Sequence, residues 1–564
     1  MDSTPHRDVQ VTRAQDALER PQLATITDAE VLRGIVANAL EQIAERDQSI
    51  AQFTTEIEAR DAALSARDLE IARRDHTIAW KSAEIERLTA EIARLRRVQF
   101  AARSEKMDPD QRALFDETMA ADLAAVATQL QALQAPDPAS PAATPAPASR
   151  PAARRASLPA ELPRVETRHE PASCTCAQCG AALVAIGEHV SEKLDCKPLE
   201  FFVRRAVYPQ YACRSCATVT AVSVAPAIID RGIAAPGLLA QVAVSKYLDH
   251  LPLYRQEAIY ARSGVTLGRT TLAEWIGAIG VALQPLVDAL RRELLTRPVL
   301  HADETPVAQL DPGRGQTKRA YLFAFAAGED DAGAPPIILF DYCASRSGQH
   351  AQRFLGDWRG ALMVDDFSGY KALFTSGVTE LGCWAHARRK FHDLHQASGS
   401  PVAQEALTRI AAFYRVEARA KDLTAEDRKA YRQEHAAPLL HAMKVWLDAL
   451  RPTVPGASGT AKAIDYTLRR WSALTRYLED GRDPIDNNRI ENAIRPIALG
   501  RKNWLFAGSE RAGQRAAAIM SLLATAKANG HEPHAWLTEV LTRLPTTRDR
   551  DLGTLLPTSW QPAA

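Results

Sequence analysis

Eight aliphatic residues, Ile43, Ile50, Ile57, Leu64, Ile71, Ile78, Ile85 and Ile92, recur every seven positions without a break. No other feature constrains the fold of this chain as tightly. A straight α-helix drifts against a seven-residue repeat, so the stripe stays on one seam only if helices supercoil left-handedly. The spacing therefore predicts a long helix that self-associates. The positions three further on are Arg46, Phe53, Arg60, Arg67, Arg74, Lys81, Leu88 and Leu95, of which only Phe53, Leu88 and Leu95 are apolar. The middle of such a coil is expected to be weak or dependent on its partner. A lone solvated helix with one apolar stripe is the alternative.

The rest of the chain divides by composition. Residues 1–27 carry no periodic pattern and are expected to be disordered, and 28–134 hold the coil and a second helical stretch from Asp108 to Leu133. Residues 135–164 are a linker, within a segment in which nine prolines fall between 136 and 171. A stretch so rich in proline and alanine cannot bury a core, and it is expected to separate the coil from the remainder of the chain. Residues 165–225 contain short strand-like runs, Phe201–Val203 and Val207–Ala212, beside paired cysteines. Residues 226–296 read as helices. From Pro298 the pattern turns to β, with candidate strands at Val299–Asp303, Arg319–Ala326, Ile337–Asp341, Ala361–Asp365 and Leu381–Trp384 inside 297–394. Residues 395–480 return to helix, 481–515 carry a further acidic and basic motif, and 516–564 read as helical. The fold class expected is multidomain α+β: coiled coil, small metal module, helical domain, mixed core with a helical insertion, and helical tail.

With 46% hydrophobic and 24% charged residues, the composition is that of soluble globular protein. The most apolar run, Ala516–Ala526, is far short of the 18 residues or so that suggest a membrane span. The N-terminus shows no apolar secretory segment, and eight cysteines in 564 residues are too few for a disulfide scaffold. A cytoplasmic protein without a membrane partner is expected. A net charge of +1 neither supports nor excludes a nucleic-acid partner, because binding depends on local patches.

Three groups of residues carry chemistry. Cys176 and Cys179 form one CxxC pair, and Cys213 and Cys216 a second. Four thiolates at that bite suit one structural tetrahedral zinc, with Cys174 as a substitute ligand and four buried free thiols as the alternative. Cys196, Cys343 and Cys383 read as core residues. The segment Gly264–Trp275 reads as a turn before a capped helix; in a helix-turn-helix it would aim Arg269 at DNA, whereas an ordinary helical hairpin would not. Asp303 and Asp365 end apolar strands, and Glu491 opens a helix. Together they could make an oxygen cage for Mg²⁺, although strands often end in Asp because loops are polar. The surroundings are basic: residues 481–515 carry seven Arg or Lys against four acids, and His386, Arg388, Arg389 and Lys390 come directly after the fifth strand. Such groups beside carboxylates suit a polyanionic substrate.

Several of these stretches, in this order, resemble the bacterial DDE transposases of the insertion sequence 66 family. The motifs are Phe100–Lys106 with Gln111–Glu117, the cysteine pairs, Ser245–Gln256, His301–Thr305, Val364–Tyr370, Gly382–Phe391, Asp486–Glu491 and Gly500–Gly508, and the resemblance runs from about Leu95 to Leu544. It implies a ribonuclease-H-like core in which Asp303, Asp365 and Glu491 hold two Mg²⁺ or Mn²⁺ ions, with a helical insertion before the last. It implies double-stranded DNA as partner, both the terminal inverted repeats of an element and its target. Arg269, His386, Arg388, Arg389, Lys390, Arg495, Arg501 and Lys502 are the residues expected to touch it, and small accessory proteins of the same element are further partners. Two positions depart from the family pattern. Asp366 stands where glycine is usual, which leaves Asp365 and Asp366 as alternatives for the second ligand, and Asn492 stands where an arginine commonly follows the glutamate. An inactive end-binding repressor and a nuclease without strand transfer are the rival functions.

Overall fold

In the computed structural model, residues 29–100, 109–134, 158, 162–170, 181–197, 200–311, 314, 316–328 and 333–562 are described. The chain forms two compact units, Met1–Ser82 and Ala83–Ala564. A single helix of 72 residues, Ala29–Phe100, runs through the boundary. In the first unit the heptad residues Ile43, Ile50, Ile57, Leu64, Ile71 and Ile78 are each more than half exposed. The seam is thus an apolar stripe without a partner among the described residues of this chain.

The second unit contains two sheets. The smaller has the order β1–β3–β2, with β4 also on β3: β1 Arg164–Arg168, β2 Leu183–Lys197, β3 Glu200–Cys213 and β4 Val219–Ala221. The two strand-like runs seen in sequence are one continuous strand, β3, because Arg204, Arg205 and Ala206 keep pairing with β2 across the expected gap.

The larger sheet has the order β7–β6–β5–β8–β9. Its strands are β5 Val299–Asp311, β6 Gln316–Ala327, β7 Ile337–Cys343, β8 Ala361–Val364 and β9 Thr379–Gly382. β5, β6 and β7 are antiparallel, whereas β5, β8 and β9 are parallel. The run from Leu322 to Ala327 is buried at every position, as a strand covered on both faces requires. The fifth strand ends two residues earlier than its sequence suggests, since Trp384 opens the helix Trp384–Ser398 and sinks into a different core. Edge strand β7 is covered: Phe340 N–H donates to Ser521 Oγ at 2.8 Å and Ile338 N–H to Thr525 Oγ1 at 3.0 Å. Both hydroxyls sit on the helix Glu510–Ala528, so the C-terminal region satisfies backbone groups that an open edge would expose.

Residues 401–478 form helices with their own core of Ile410, Phe413, Met443, Leu447, Ile464 and Tyr477, joined by Trp384 and Phe391. Arg432, 3% exposed, closes it by donating to the carbonyls of Tyr477 and Asp483, each at 2.9 Å, and to Glu417. The chain thereby returns to the large sheet on a fixed path. The helix Arg269–Leu294 is long and apolar enough to cross a membrane by length and composition. Its Leu272, Ile276, Ile279, Leu283 and Leu290 are instead packed in the main core.

The helix Pro109–Gln134, expected from sequence to lie with the coil beyond the linker, belongs to the second unit and packs on the Arg269–Leu294 helix. At Gly277 an added Cβ would lie 2.4 Å from the Ala121 carbonyl oxygen, so the two backbones cross in contact. Two buried ion pairs fix the position: Lys246 with Glu117, and Arg515 with Asp122 at 3.0 Å, both partners of the latter 6% exposed. Removing one partner of a buried pair strands the other charge, at a cost of about 3–5 kcal/mol, whereas an apolar pair of similar volume is close to neutral. Asp122→Ala is therefore expected to lower the melting temperature sharply, and the double variant Asp122→Ala/Arg515→Met to recover most of the loss. A double variant no more stable than Asp122→Ala would contradict this account.

Candidate active site

β5 and β8 are neighbouring parallel strands in which His301 lies opposite Met363. Two residues further along the chain stand Asp303, still within β5, and Asp365, one residue past the end of β8, and the charge of Asp365 is felt at Asp303. Asp303 is not at a strand end, as the sequence suggests; β5 continues to Asp311 because its pairing with β6 persists along the whole length. Asp365 does follow the last residue of β8 and accepts from Phe367 N–H at 2.8 Å. Glu491 lies in the first turn of the helix Asn488–Trp504. Burial, followed by the charges of Glu304, Asp365 and Glu491, pushes the Asp303 carboxyl up to about 7.

The acids next in sequence face elsewhere. Glu304 is buried, takes two hydrogen bonds from the Arg346 guanidinium and accepts from Tyr370 Oη at 2.8 Å. Asp366 is paired with Arg470 at 2.9 Å, Arg469 at 3.4 Å and Lys371 at 3.6 Å, and Arg470 also holds Glu380 at 2.9 Å. Asp366 is thus neutralised by cations, whereas Asp365 contributes to the charge felt by Asp303.

Glu491 Oε1 and His386 Nδ1 stand 3.6 Å apart, and both are buried without a hydrogen-bond partner; Arg389 Nη2 is 3.3 Å from Glu491 Oε2. Buried polar atoms are nearly always satisfied, so orphaned oxygen and nitrogen atoms beside two further carboxylates are a donor set that fits a cation. Cys383, His386 and Glu491 have ligand atoms within 4.8 Å of one another. The Cys383 thiol, however, is pushed up to about 12 by burial and accepts from Asn487 N–H at 3.2 Å, which leaves the carboxylates as the natural ligands of a hard ion.

Asn487 lies in the Asp486–Glu491 motif but has no role readable from the sequence, and it joins three elements of the site. Fully buried, it donates from Nδ2 to the Ala302 carbonyl at 2.9 Å, and its Oδ1 lies 2.9 Å from His301 Nδ1. Burial lowers the His301 imidazole to about 4, so the ring is neutral near pH 7 and carries the shared proton on Nδ1. One amide thereby links β5, the start of the Trp384–Ser398 helix and the start of the Glu491 helix.

The basic residues fall into two sets. Arg388, Arg389 and Lys390 are exposed, and Arg388 and Arg389 line, with His392, Tyr414, Arg415 and Asn488, a cleft of about 580 Å³ beside Glu491. Arg495 and Lys502 are exposed on the Glu491 helix. Arg501 instead donates to the Pro306 carbonyl, and Arg269 pairs with Glu257 within a helical hairpin. The helix opened by Arg269 has Gly268 at its N-cap without a side-chain cap, unlike the capped start that its threonines suggest. Of the cysteine pairs, Cys213 ends β3 and Cys216 lies in the turn after it, where Ala217 takes a positive φ of 56°. Cys174, Cys176 and Cys179 lie outside the described residues.

Comparison with known proteins gives four family matches. Residues 231–515 match the description "Transposase IS66 family", and residues 521–558 the "IS66 C-terminal element". Residues 173–217 match the "zinc-finger binding domain of transposase IS66", and 87–167 the "Transposase C of IS166 homeodomain". The uncharacterized proteins y4jD and y4qI of Sinorhizobium fredii are each 39% identical over 70% of this chain, covering 79% and 74% of their own lengths. A third from that organism, y4hP, is 33% identical over 70% of the chain and 74% of its own length.

The geometry has two measurable consequences. Asn487→Ala leaves His301 and the Ala302 carbonyl without their partner, at about 1–3 kcal/mol for each buried group; calorimetry should show a destabilised fold, and unchanged stability would remove Asn487 from the framework. For Asp303 the carboxyl is raised above its unfolded value, so the folded protein holds a proton that the unfolded chain has released. Its contribution is present at low pH and is lost as pH rises from the ordinary carboxylate range through about 7. Added Mg²⁺ should therefore raise the melting temperature more at about pH 8 than at about pH 5.5, where it competes with that proton. Asp303→Asn should flatten the difference; an equal Mg²⁺ effect at both pH values would count against a cation at Asp303.

Proposed function

The chain belongs to the IS66 family of transposases, and from that premise we propose that it is a DNA transposase whose Asp303, Asp365 and Glu491 hold two Mg²⁺ or Mn²⁺ ions. The observation that supports this reading is that Asp303 on β5 feels the charges both of Asp365, just past the end of the neighbouring parallel strand β8, and of Glu491. The sheet order β7–β6–β5–β8–β9, with three antiparallel strands followed by parallel ones, favours a ribonuclease-H-like core. The pairing of Asp366 with Arg470 favours Asp365 as the second ligand.

Water cleaves a phosphodiester at the element's end to leave a 3′-OH and a 5′-phosphate. The 3′-OH then attacks a target phosphodiester, forming the new bond as the target's own 3′-oxygen departs. Bound ions supply Lewis acidity, activating the attacking oxygen and stabilising the leaving one. Arg388 and Arg389 hold the polyanion in the cleft beside Glu491, Lys390 adds a contact outside that cleft, and His386 and Arg389 orient the carboxylate. Asn487 keeps the Glu491 helix against β5 while substrate enters and leaves. Arg495 and Lys502 add contacts along the helix, whereas Arg269 and Arg501 would first have to leave Glu257 and Pro306.

A structural zinc on Cys176, Cys179, Cys213 and Cys216 would fold the small sheet region into a module that, with the helices of 226–296, engages the terminal inverted repeats. The exposed isoleucine seam of the long helix supports self-association, which would bring two ends together. Accessory proteins of the same element complete the expected partners, and a nucleoid-associated location follows from the substrate.

Strand joining tests the reading. Purified protein is mixed with labelled duplexes carrying the DNA that flanks its gene, with Mg²⁺ or EDTA. Metal-dependent joined product is expected from the wild type and none from Asp303→Asn, which should still bind the ends. Cleavage without joining would make the protein a nuclease, and binding without cleavage, even with the neighbouring small proteins added, a repressor.

A further inference from the structure

The helix that carries Glu491 has two contrasting sides. Ile490, Ile494 and Ile497 are buried in the main core, and Gly500 is buried against His250. Asn492, Arg495, Leu499 and Lys502 are exposed and succeed one another at spacings of three and four. At about 100° per residue they form a single stripe. No acid stands in it, and none of its polar side chains has a protein hydrogen-bond or ion-pair partner among the described residues. Leu499 is 64% exposed between the two cations. Pro496, which has no N–H, leaves the Asn492 carbonyl without its usual helical donor.

We propose that this stripe reads the base sequence of the DNA end next to the cleaved bond, with a duplex major groove as its occupant. The inference rests on the transposase reading and deepens it. A solvated face needs only charge, whereas this one offers a matched set of base-reading groups. An asparagine amide pairs in bidentate fashion with adenine, an arginine with guanine, and an aliphatic side chain meets the thymine methyl; the lysine supplies a phosphate contact. Charge complementarity selects nucleic acid over an acidic protein, because the stripe continues into the basic cleft of Arg388 and Arg389. Glu491 lies at its margin, within about 40° of Arg495 and Lys502 around the helix axis. From Asn492 to Lys502 the helix rises about 15 Å, which matches four to five base pairs at about 3.4 Å per step. The base pairs read are therefore the terminal ones.

The test is a binding selection. A library of duplexes carries the DNA flanking the gene, with the five base pairs at the element boundary randomised, and is bound by full-length protein in Ca²⁺, which keeps the strands intact. Wild type should enrich particular bases at those positions by about tenfold. Asn492→Ala and Arg495→Ala should each flatten the preference at one or two positions to within about twofold. Lys502→Ala should weaken every sequence equally and reduce the slope of log affinity against log salt by about 0.9. A preference left intact in Asn492→Ala and Arg495→Ala, or lost equally at all positions, would overturn the inference while leaving the transposase reading standing. Absence of any binding to the flanking duplexes by wild type would overturn both.

Discussion

The site depends on a neutral amide. Asp303, Asp365 and Glu491 come from positions far apart in the chain, and at Asp303 burial first, then the charges of Glu304, Asp365 and Glu491, push the carboxyl up to about 7. A scaffold that held them by permanent ion pairs would supply the positive charge itself and compete with any metal. Asn487 avoids this. It ties the Glu491 helix to β5 and to Cys383 through uncharged groups only: an amide, an imidazole lowered to about 4, a thiol raised to about 12 and a backbone carbonyl. Geometry is thereby fixed through uncharged groups, while the electrostatic demand of the carboxylates is met only in part, by Arg389 beside Glu491.

The arginines are placed where that demand must be removed. In each of the pairs Asp303–Glu304 and Asp365–Asp366, the second carboxylate is held by cationic side chains. Along β5 the pleat itself separates the two, turning Asp303 to one face and Glu304 to the other. Arg346 and Tyr370 hold Glu304, and the Arg346 guanidinium also stacks 4.0 Å from the Phe367 ring, which steadies the loop after Asp365. Arg470, itself 4% exposed, holds Asp366 and Glu380. This residue comes from the end of the helical insertion, so the insertion is fastened to the sheet beside the second aspartate as well as delivering the chain to Asp486–Glu491.

What the sequence made legible was local. Periodicity found the long helix, and apolar runs found the five strands of the large sheet, four of them to within a few residues and β5 only in its first part. What it hid was long-range. The exchange of hydrogen bonds between Asn487 and β5 spans nearly two hundred residues, and no local pattern distinguishes that asparagine from an ordinary helix start. The helix Pro109–Gln134 sits in the main body through Gly277 and Arg515, partners far downstream of the proline-rich linker that divides them in sequence. Asp303 lies within a strand rather than at its end because its neighbour β6 pairs on to Asp311, and pairing length is a property of two strands.

The two departures from the family pattern make physical sense together. At position 366 a glycine would leave Arg470 with Glu380 as its carboxylate partner; an aspartate there gives Arg470 Nη1 a second carboxylate at 2.9 Å. At position 492 an arginine would put a third cation on a stripe that already holds Arg495 and Lys502. An asparagine keeps two cations for the backbone and adds an uncharged group suited to a base edge. Both changes therefore act at the border of the carboxylate cluster, where they alter how the site is buttressed and how DNA is met, and neither touches the three acids themselves.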